Sequence, residues 1–275
     1  MITSDEVLSE HEQPGSVVFV GGGVSRLLPE RDEDAVEHIR AESERIGIEV
    51  PTGVKVARVE KSGNQLRTVF GANGKERSVV SDRVVNGAGR IANVDYLDLE
   101  AGGVAHAGFR LAVDDYLRSA SNPAVYACGD VLSGPPQLAP LATYEGMIVG
   151  RNIVEGPQHM PDYASLPSAV YTVPALASVG LTEAQAKEKG LKTKVTVSDM
   201  EDWFSTRTYA ETRAWAKVIV DEETDTILGA HIVGHAGEEL INIFGLAKAH
   251  GITATQLRDF ICAYPSFSAD IKHML

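Results

Sequence analysis

Cysteine is scarce in this chain of 275 residues, which has only Cys128 and Cys262. The two lie far apart and have no Cys-x-x-Cys spacing, so neither a disulfide framework nor a cysteine zinc site is expected. Histidine does not compensate, because His231 and His235 stand four apart on a predicted strand-to-turn segment with no third ligand in evidence. Catalytic zinc generally takes three protein ligands. We therefore predict no metal site.

Basic clusters and long apolar runs are missing as well. The formal net charge is -13, and no group of lysines and arginines stands out against it. The sequence thus predicts no nucleic-acid partner and no attraction to an acidic membrane. No apolar run approaches the length of a membrane span, and the acidic segment 1–6 lacks the positive and apolar regions of a signal peptide. We expect a cytoplasmic protein.

What is present is an ordinary soluble balance of 44% hydrophobic and 23% charged residues, enough for one or two domains. The β-branched run Val17–Val20 ends in Gly21-Gly22-Gly23, which predicts a buried strand entering a tight turn. Helical spacing and an acidic first turn predict a helix over 32–46. Three runs, 54–59, 65–70 and 77–85, are separated by glycine-containing turns and predict an antiparallel meander.

The segment 96–162 contains the most informative motif. A predicted strand, 125–128, delivers Gly129-Asp130 to a turn, and a loop marked by Pro140 then opens a helix over 144–154. An aspartate at a strand end can accept hydrogen bonds from ligand hydroxyls, and glycine lets the backbone come close. The helix N-terminus offers free N–H donors to a phosphate or an electron-rich ring. Taken alone, the same pair is a common turn.

The last part of the chain predicts an α+β domain, because strands are followed by helices. Pro167 and Pro174 indicate a linker that becomes an edge strand. A capping-box helix is predicted over 182–189, from Thr182 and Gln185. The remaining predictions are strands over 192–197, 213–220 and 227–233 and helices over 237–250 and 253–260.

Three segments in order resemble one family: Gly87 to Asn93 (GAGRIAN), Ala127 to Asp130 (ACGD) and Leu138 to Ala142 (LAPLA). The family is the flavin-dependent pyridine nucleotide-disulfide oxidoreductases, the group of glutathione reductase, dihydrolipoamide dehydrogenase and mercuric reductase. The resemblance implies an FAD cofactor and assigns its contacts to Gly129, Asp130, Leu138, Ala139, Pro140 and Ala142. It places Gly21, Gly23, Gly89 and Arg90 on the side of the NAD(P)H cofactor.

The resemblance also implies the architecture. We expect an α/β region followed by an α+β domain: a truncated, Rossmann-like FAD/NAD(P)-binding region with a β-meander, then a C-terminal dimerisation domain. The boundaries are 1–95 for a partial NAD(P)-binding domain, 96–162 for the second half of the FAD domain, and 163–275 for the dimerisation domain. A homodimer through that last domain and a small-molecule electron acceptor follow as expected partners.

The chain departs from the family at the nicotinamide site. Gly21-Gly22-Gly23 is followed by Val24-Ser25-Arg26, so the third glycine of Gly-x-Gly-x-x-Gly is absent. Ser25 to Glu30 (SRLLPE) resembles a family segment that normally lies one helix and one strand further along the chain. The sequence therefore indicates that one αβ unit, with a length of roughly 25 to 30 residues, is missing before it. A relict turn is therefore favoured over a working NAD(P)H cradle.

The other departures concern chemistry. The family's N-terminal FAD unit and its Cys-x4-Cys redox pair are absent from this sequence, so we expect a fragment or a truncated relative. Tyr264 stands where the family has its acid-base histidine, and Ala269 stands where it has the orienting glutamate. A phenol titrates near about 10 and is a poor base at neutral pH. Tyr264 is the one candidate catalytic residue, with a place at the edge of the interface core as the alternative.

Two functions of different class follow. The first is an FAD-dependent NAD(P)H oxidoreductase, incomplete as this chain, that passes electrons from NAD(P)H through FAD to a disulfide or another small acceptor. The second is a non-catalytic dimerisation or assembly module with vestigial nucleotide-binding folds. Uptake of FAD and size in solution separate the two.

Overall fold

A computed structural model describes residues 1–21, 25–72, 74–107 and 110–275 of the chain. They form two compact units, one made of Met1–Gly89 and Ser165–Leu275 and the other of Arg90–Ala164. The first unit thus combines the N-terminal segment with the C-terminal α+β segment. The division into three domains with boundaries at 95 and 162 stays a prediction.

The helices are α1 (Ser4–Leu8), α2 (Glu33–Arg45), α3 (Ala139–Glu155), α4 (Glu183–Glu188), α5 (Phe204–Thr208), α6 (Gly237–Ala249), α7 (Ala254–Asp259) and α8 (Ile271–Met274). The strands are β1 (Val17–Gly21), β2 (Lys55–Ser62), β3 (Gln65–Ala72), β4 (Lys75–Ser81), β5 (Arg83–Gly87), β6 (His106–Ala107), β7 (Arg110–Leu111), β8 (Ser168–Val170), β9 (Leu176–Gly180), β10 (Thr193–Asp199), β11 (Trp215–Asp221) and β12 (Ile227–Val233). Two single turns of 3-10 helix, Gly129–Val131 and Phe267–Asp270, complete the list.

A short parallel ladder and an antiparallel meander make up the N-terminal part of the first unit. Strands β1 and β5 pair in parallel, with Gly21 opposite Gly87, and Ile2 adds a parallel bridge to Val85. Strands β2, β3 and β4 form the predicted meander. The ladder and the meander are separate sheets in the described part of the chain.

The third predicted run, 77–85, proves to be two strands rather than one. Strand β4 leaves the meander at Ser81, and β5 begins at Arg83 in the parallel sheet. The carboxylate of Asp82 fixes this change of sheet by accepting hydrogen bonds from the N–H of Ser16, at 2.9 Å, and from the Gln65 amide, at 2.9 Å. Alternation of apolar residues gives no sign of the break, which depends on these distant partners.

Helix α2 confirms the helix predicted over 32–46 and packs on the C-terminal sheet. Asp32 caps it, since its carboxylate accepts from the N–H groups of Asp34 and Ala35. The apolar face of α2 meets the sheet in one cluster, which consists of Ala35, Val36, Ile39, Leu176, Trp215 and Val233. The N-terminal and C-terminal segments of this unit therefore share a core.

The C-terminal segment is an α+β fold, as predicted. Five strands lie in the order β10-β11-β12-β9-β8, and every neighbouring pair is antiparallel. Phe244 and Ile241 of α6 are buried against the sheet in the largest core cluster. The predicted strands and helices of this segment are confirmed to within two residues at each end. Thr182 caps α4 with the predicted capping box, and Thr253 caps α7 with a second capping box formed with Gln256.

The second unit, Arg90–Ala164, is built around α3. This helix begins at Ala139 rather than at the predicted Tyr144, because proline is well tolerated in the first turn of a helix and Pro140 lies there. The strand predicted over 125–128 is wrong. Within the described residues of this stretch, Tyr126 makes only an isolated β-bridge, to Arg118. Among those residues, the segment 125–128 has no neighbouring strand with which to form a continuous ladder.

None of the helices in the described ranges has the length and apolar character needed to cross a membrane.

Candidate functional site

The Gly129–Asp130 loop is a tight turn that only glycine fits well. Cys128 is extended and leads into the 3-10 turn at Gly129, where the backbone adopts a φ of +77°. L-residues rarely adopt this conformation. A Cβ at Gly129 would also lie 3.1 Å from the Cβ of Ala142 on α3. Glycine therefore lets the loop lie directly against the start of the helix.

The Asp130 carboxylate and the first backbone N–H groups of α3 lie together at this point. The side chain of Asp130 is exposed, and the loop is held from the other side by the Gln137 amide, which donates to the Asp130 carbonyl at 3.0 Å. Helix α3 starts beside it with Leu138 as N-cap, a residue with no side-chain capping bond. The backbone N–H groups of the first turn of α3 are thus left for another partner.

Four of the predicted FAD contacts belong to this helix start. Leu138 is half-buried, Ala139 and Pro140 are exposed, and Ala142 packs against Gly129. Together with Gly129 and Asp130 they make an open cradle with an acceptor side chain on one side and a helix N-terminus on the other. Such a cradle suits a polar chain with hydroxyl or phosphate groups, and these residues fit one side of an FAD molecule.

A residue that sequence reasoning missed holds this loop from beneath. Glu145 of α3 is 1% exposed, and its Oε2 accepts a hydrogen bond from the Gly129 N–H at 2.6 Å. Its Oε1 accepts from the Tyr163 hydroxyl at 2.8 Å. The signal available in the sequence was a charged residue on the same helical face as Leu141 and Ile148, where an apolar residue would be the ordinary choice.

Cys128, next to the loop, is not suited to thiol chemistry. It is partly buried, and burial raises the pKa of its thiol, with the negative charge of Glu145 adding to the rise. The thiolate is the reactive form of cysteine. Cys128 is therefore a protonated packing residue at neutral pH.

The predicted nicotinamide-side residues have a structural explanation of their own. Gly21 lies opposite Gly87, and a Cβ there would overlap the Gly87 carbonyl. Gly89 has a φ of +105° and open space around it, and it ends the first unit, while Arg90 begins the second. Gly23 lies outside the described residues. Gly21 is the last residue of β1 and Gly89 follows the end of β5, so the parallel ladder brings both to the same edge of one sheet.

Tyr264 is the predicted residue that takes the position of the family's acid-base histidine. Its side chain is 78% exposed. Ala269, at the position of the orienting glutamate, lies in a 3-10 turn, and its backbone N–H donates a hydrogen bond to the hydroxyl of Ser266. A methyl group cannot orient a phenol, so Tyr264 has no orienting carboxylate from this position.

The two histidines weighed as metal ligands have different partners. His231 is 1% exposed, and its ring nitrogens lie 3.1 Å from the Ser178 hydroxyl and 3.1 Å from the Leu181 carbonyl. His235 pairs with Glu211 at 3.2 Å and stacks on Tyr209. Over the described ranges, no group of three histidine, cysteine or acidic side chains gathers in a ligand arrangement.

Comparison with protein-family models gives two matches. Residues 24–146 match the model described as pyridine nucleotide-disulphide oxidoreductase. Residues 166–275 match the model described as pyridine nucleotide-disulphide oxidoreductase, dimerisation domain. The matched ranges include the Gly129–Asp130 loop in the first model and the whole five-stranded sheet in the second.

Individual relatives point the same way. The chain is 33% identical over 260 residues to a mercuric reductase of Bacillus cereus, covering 94% of this chain and 41% of that enzyme. It is 40% identical over 181 residues to an uncharacterised 19.7 kDa protein in a mercuric resistance operon of Staphylococcus aureus, covering 65% of this chain and 100% of that protein.

A solved structure extends the likeness to three dimensions. The Cu(II) complex of the HOCl-induced flavoprotein disulfide reductase RclA from Escherichia coli superposes with a TM-score of 0.90 at 26% identity. The match covers 99% of this chain and 66% of that one. The chain thus spans under half of the mercuric reductase and about two thirds of the disulfide reductase.

Proposed function

Since the chain belongs to the pyridine nucleotide-disulphide oxidoreductase family, we propose that it contributes one side of an FAD site in an NAD(P)H-dependent oxidoreductase. The observation that supports the proposal is the cradle formed by Gly129, Asp130 and the N-terminus of α3. The reaction proposed is transfer of electrons from NAD(P)H through FAD to a disulfide or another small acceptor.

FAD, when bound, supplies the two-electron redox chemistry of such a reaction. The residues of this chain bind and orient it. The Asp130 carboxylate accepts hydrogen bonds from hydroxyl groups of the cofactor, and Gly129 admits it close to the backbone. The N–H groups of Ala139 and Leu141 face an electron-rich part of the ligand with the positive end of the helix dipole.

The remaining candidate residues have secondary roles in the proposed reaction. Gly21, Gly23, Gly89 and Arg90 are the candidates for the NAD(P)H side, and the loss of an αβ unit that the sequence indicates would weaken NAD(P)H binding by this chain. Tyr264 donates a hydrogen bond near the acceptor rather than serving as a base. The assembly is a homodimer through 163–275, in the cytoplasm.

Uptake of FAD by the full chain tests the proposal. We expect protein incubated with FAD and passed through gel filtration to retain the flavin's visible absorption band. Asp130→Asn should weaken binding about tenfold, because a charge-assisted hydrogen bond loses its charge. Asp115→Asn is the matched control, since Asp115 is an exposed acid of the same unit. Colourless protein, or equal loss in both variants, overturns the proposal.

The second candidate is the non-catalytic dimerisation module. It is favoured by the fact that the dimerisation-domain model accounts for the C-terminal sheet over 166–275, whereas the described N-terminal sheet has only two parallel strands. A dimer that takes up no FAD would support this module. A monomer with FAD-dependent diaphorase activity would eliminate it.

A further inference from the structure

Glu145 is a buried acid whose position is not explained by packing. The buried face of α3 consists of Leu141, Glu145, Ile148 and Asn152. Burial of a carboxylate is costly unless hydrogen bonds satisfy it, and leucine would fill the same space without that cost. The two hydrogen bonds of Glu145, from the Gly129 N–H and the Tyr163 hydroxyl, offset the penalty. Both of its oxygens accept a hydrogen bond.

We infer that Glu145 is a positioning residue for the FAD-binding loop: its carboxylate fixes the Gly129 amide, and through it Asp130, and ties this loop to Tyr163. The inference rests on the proposed function, because it assigns Glu145 a purpose at that same site. Glu145 itself points into the unit and contacts the loop from beneath. It acts on a ligand only through Gly129 and Asp130.

The Gly129 amide is the group that needs such a partner. The φ of +77° at Gly129 lies where glycine, lacking a Cβ, has several accessible conformations. The neighbouring contact with Ala142 limits the loop on one side only. A short bond from the Gly129 N–H to a side chain fixed in a long helix selects one of these conformations. Asp130, the next residue, then presents its carboxylate in a defined direction.

Tyr163 extends the same connection to the end of the unit. The segment before Ser165 is bound to α3 twice in succession: the Asp162 N–H donates to the Tyr144 hydroxyl at 3.0 Å, and the Tyr163 hydroxyl donates to Glu145. Burial and the Glu145 carboxylate both raise the pKa of Tyr163, so it remains a donor at physiological pH. The loop and the segment that leaves the unit are therefore held by one carboxylate.

Substitutions of Glu145 separate positioning from simple packing. Glu145→Leu fills the space but leaves the Gly129 N–H without its partner. Glu145→Gln keeps both bonds, because the amide oxygen accepts from Gly129 and the amide nitrogen donates to the phenol oxygen of Tyr163. The control is Asn152→Leu, since Asn152 is equally buried on the same face but bonds to Tyr116, Gln158 and His159 instead.

The experiment measures hydrogen exchange at the Gly129 amide and, in parallel, FAD affinity by titration of flavin fluorescence. We expect Glu145→Leu to speed exchange at Gly129 and to weaken FAD binding, each about tenfold. Glu145→Gln should remain within about threefold of the original chain in both measurements. Asn152→Leu should leave Gly129 exchange unchanged at a temperature where all variants are folded. Tyr163→Phe, the mildest change, keeps the bond to Gly129 and should leave Gly129 exchange near its original rate.

Unchanged Gly129 exchange in Glu145→Leu, or a Glu145→Gln chain that behaves like Glu145→Leu, overturns the inference. So does fast exchange in Glu145→Leu without any loss of FAD affinity. If the original chain takes up no FAD, the proposed function fails. Gly129 exchange in Glu145→Leu and Glu145→Gln then decides on its own whether Glu145 positions the loop.

Discussion

At the scale of single residues, His231 shows how burial changes what a side chain does. It lies on β12 and is 1% exposed. Burial lowers the pKa of its imidazole, and the charges of Lys217 and Arg31 lower it further, while Asp32 and the Leu181 carbonyl oppose them. A neutral ring bonded to a hydroxyl and a carbonyl is a structural member of the core, which leaves neither nitrogen for a metal.

A pH dependence of stability follows. The folded-state pKa of His231 lies below the unfolded value of about 6.5, so in acid the unfolded state binds more protons. The stabilisation is fully present above about pH 6.5 and declines as the pH falls below it, by at most about 1.4 kcal/mol per pH unit. We expect His231→Gln to flatten the dependence of the unfolding free energy on pH between about 6.5 and 5.

Urea unfolding at several pH values measures this slope. His11→Gln is the control, since His11 is exposed and its loss should leave the slope as it is. An unchanged slope in His231→Gln would show that other groups dominate acid unfolding.

At the scale of elements, one lysine joins α2 to the C-terminal sheet. Lys217 on β11 is 3% exposed, and its Nζ lies 3.2 Å from Asp32, 2.6 Å from Asp34 and 3.1 Å from Glu183. Burial pushes the pKa of Lys217 down, but hydrogen bonds to Asp34 and Glu183 and the charge of Asp32 raise it above the ordinary value. The lysine is therefore charged, and it compensates an aspartate, Asp32, that is itself 3% exposed.

Lys217→Met should accordingly destabilise the protein by about 3 kcal/mol, because it leaves Asp32 buried without its cation. Adding Asp32→Ser should recover part of the loss, since serine keeps the helix cap and removes the stranded charge. Chemical unfolding of the two variants measures the coupling.

Lys192→Met is the matched control, because the side chains of Lys192 and its ion-pair partner Glu223 are 73% and 70% exposed. It should change stability by no more than about 0.5 kcal/mol. Equal losses in the two lysine variants, or no recovery in the double variant, would contradict the assigned role of Lys217.

Local signals in the sequence predicted the elements that depend on local chemistry. The helix starts at Thr182 and Thr253 were predicted because their capping bonds join residues three apart. The break between β4 and β5 escaped because Asp82 is fixed by partners far along the chain. The strand predicted over 125–128 failed because an apolar run does not reveal whether a neighbouring strand exists to pair with it.

The same distinction holds for the candidate site. Gly129 and Asp130 were predicted by their order relative to a helix start, which a motif preserves. Glu145 and Tyr163 were not, since their bonds span 16 and 18 residues and need the folded helix to bring them together. Motifs therefore indicate the residues of a candidate surface, while the hydrogen bonds beneath that surface are visible only in three dimensions.

At the scale of the whole molecule, one group of exposed apolar side chains lies close to the C-terminus. Phe260, Ile261 and Tyr264 follow one another closely in sequence and are 65%, 91% and 78% exposed. They lie within the range that matches the family's dimerisation domain. Large exposed apolar patches mark interfaces with other chains, and the match to the dimerisation model selects this group of residues as the one to test.

We expect two copies of the chain to associate through the surface around Ile261. Ile261→Asp places a charge where a second copy would bury the isoleucine, and desolvating that charge costs more than the contact contributes. We expect the variant to sediment as a monomer at concentrations where the original chain is a dimer. Leu8→Asp is the control, because Leu8 is 87% exposed on α1, outside the matched range, and should remain dimeric. If the original chain is monomeric at every concentration tested, or both variants dissociate alike, the surface around Ile261 is not the dimer interface.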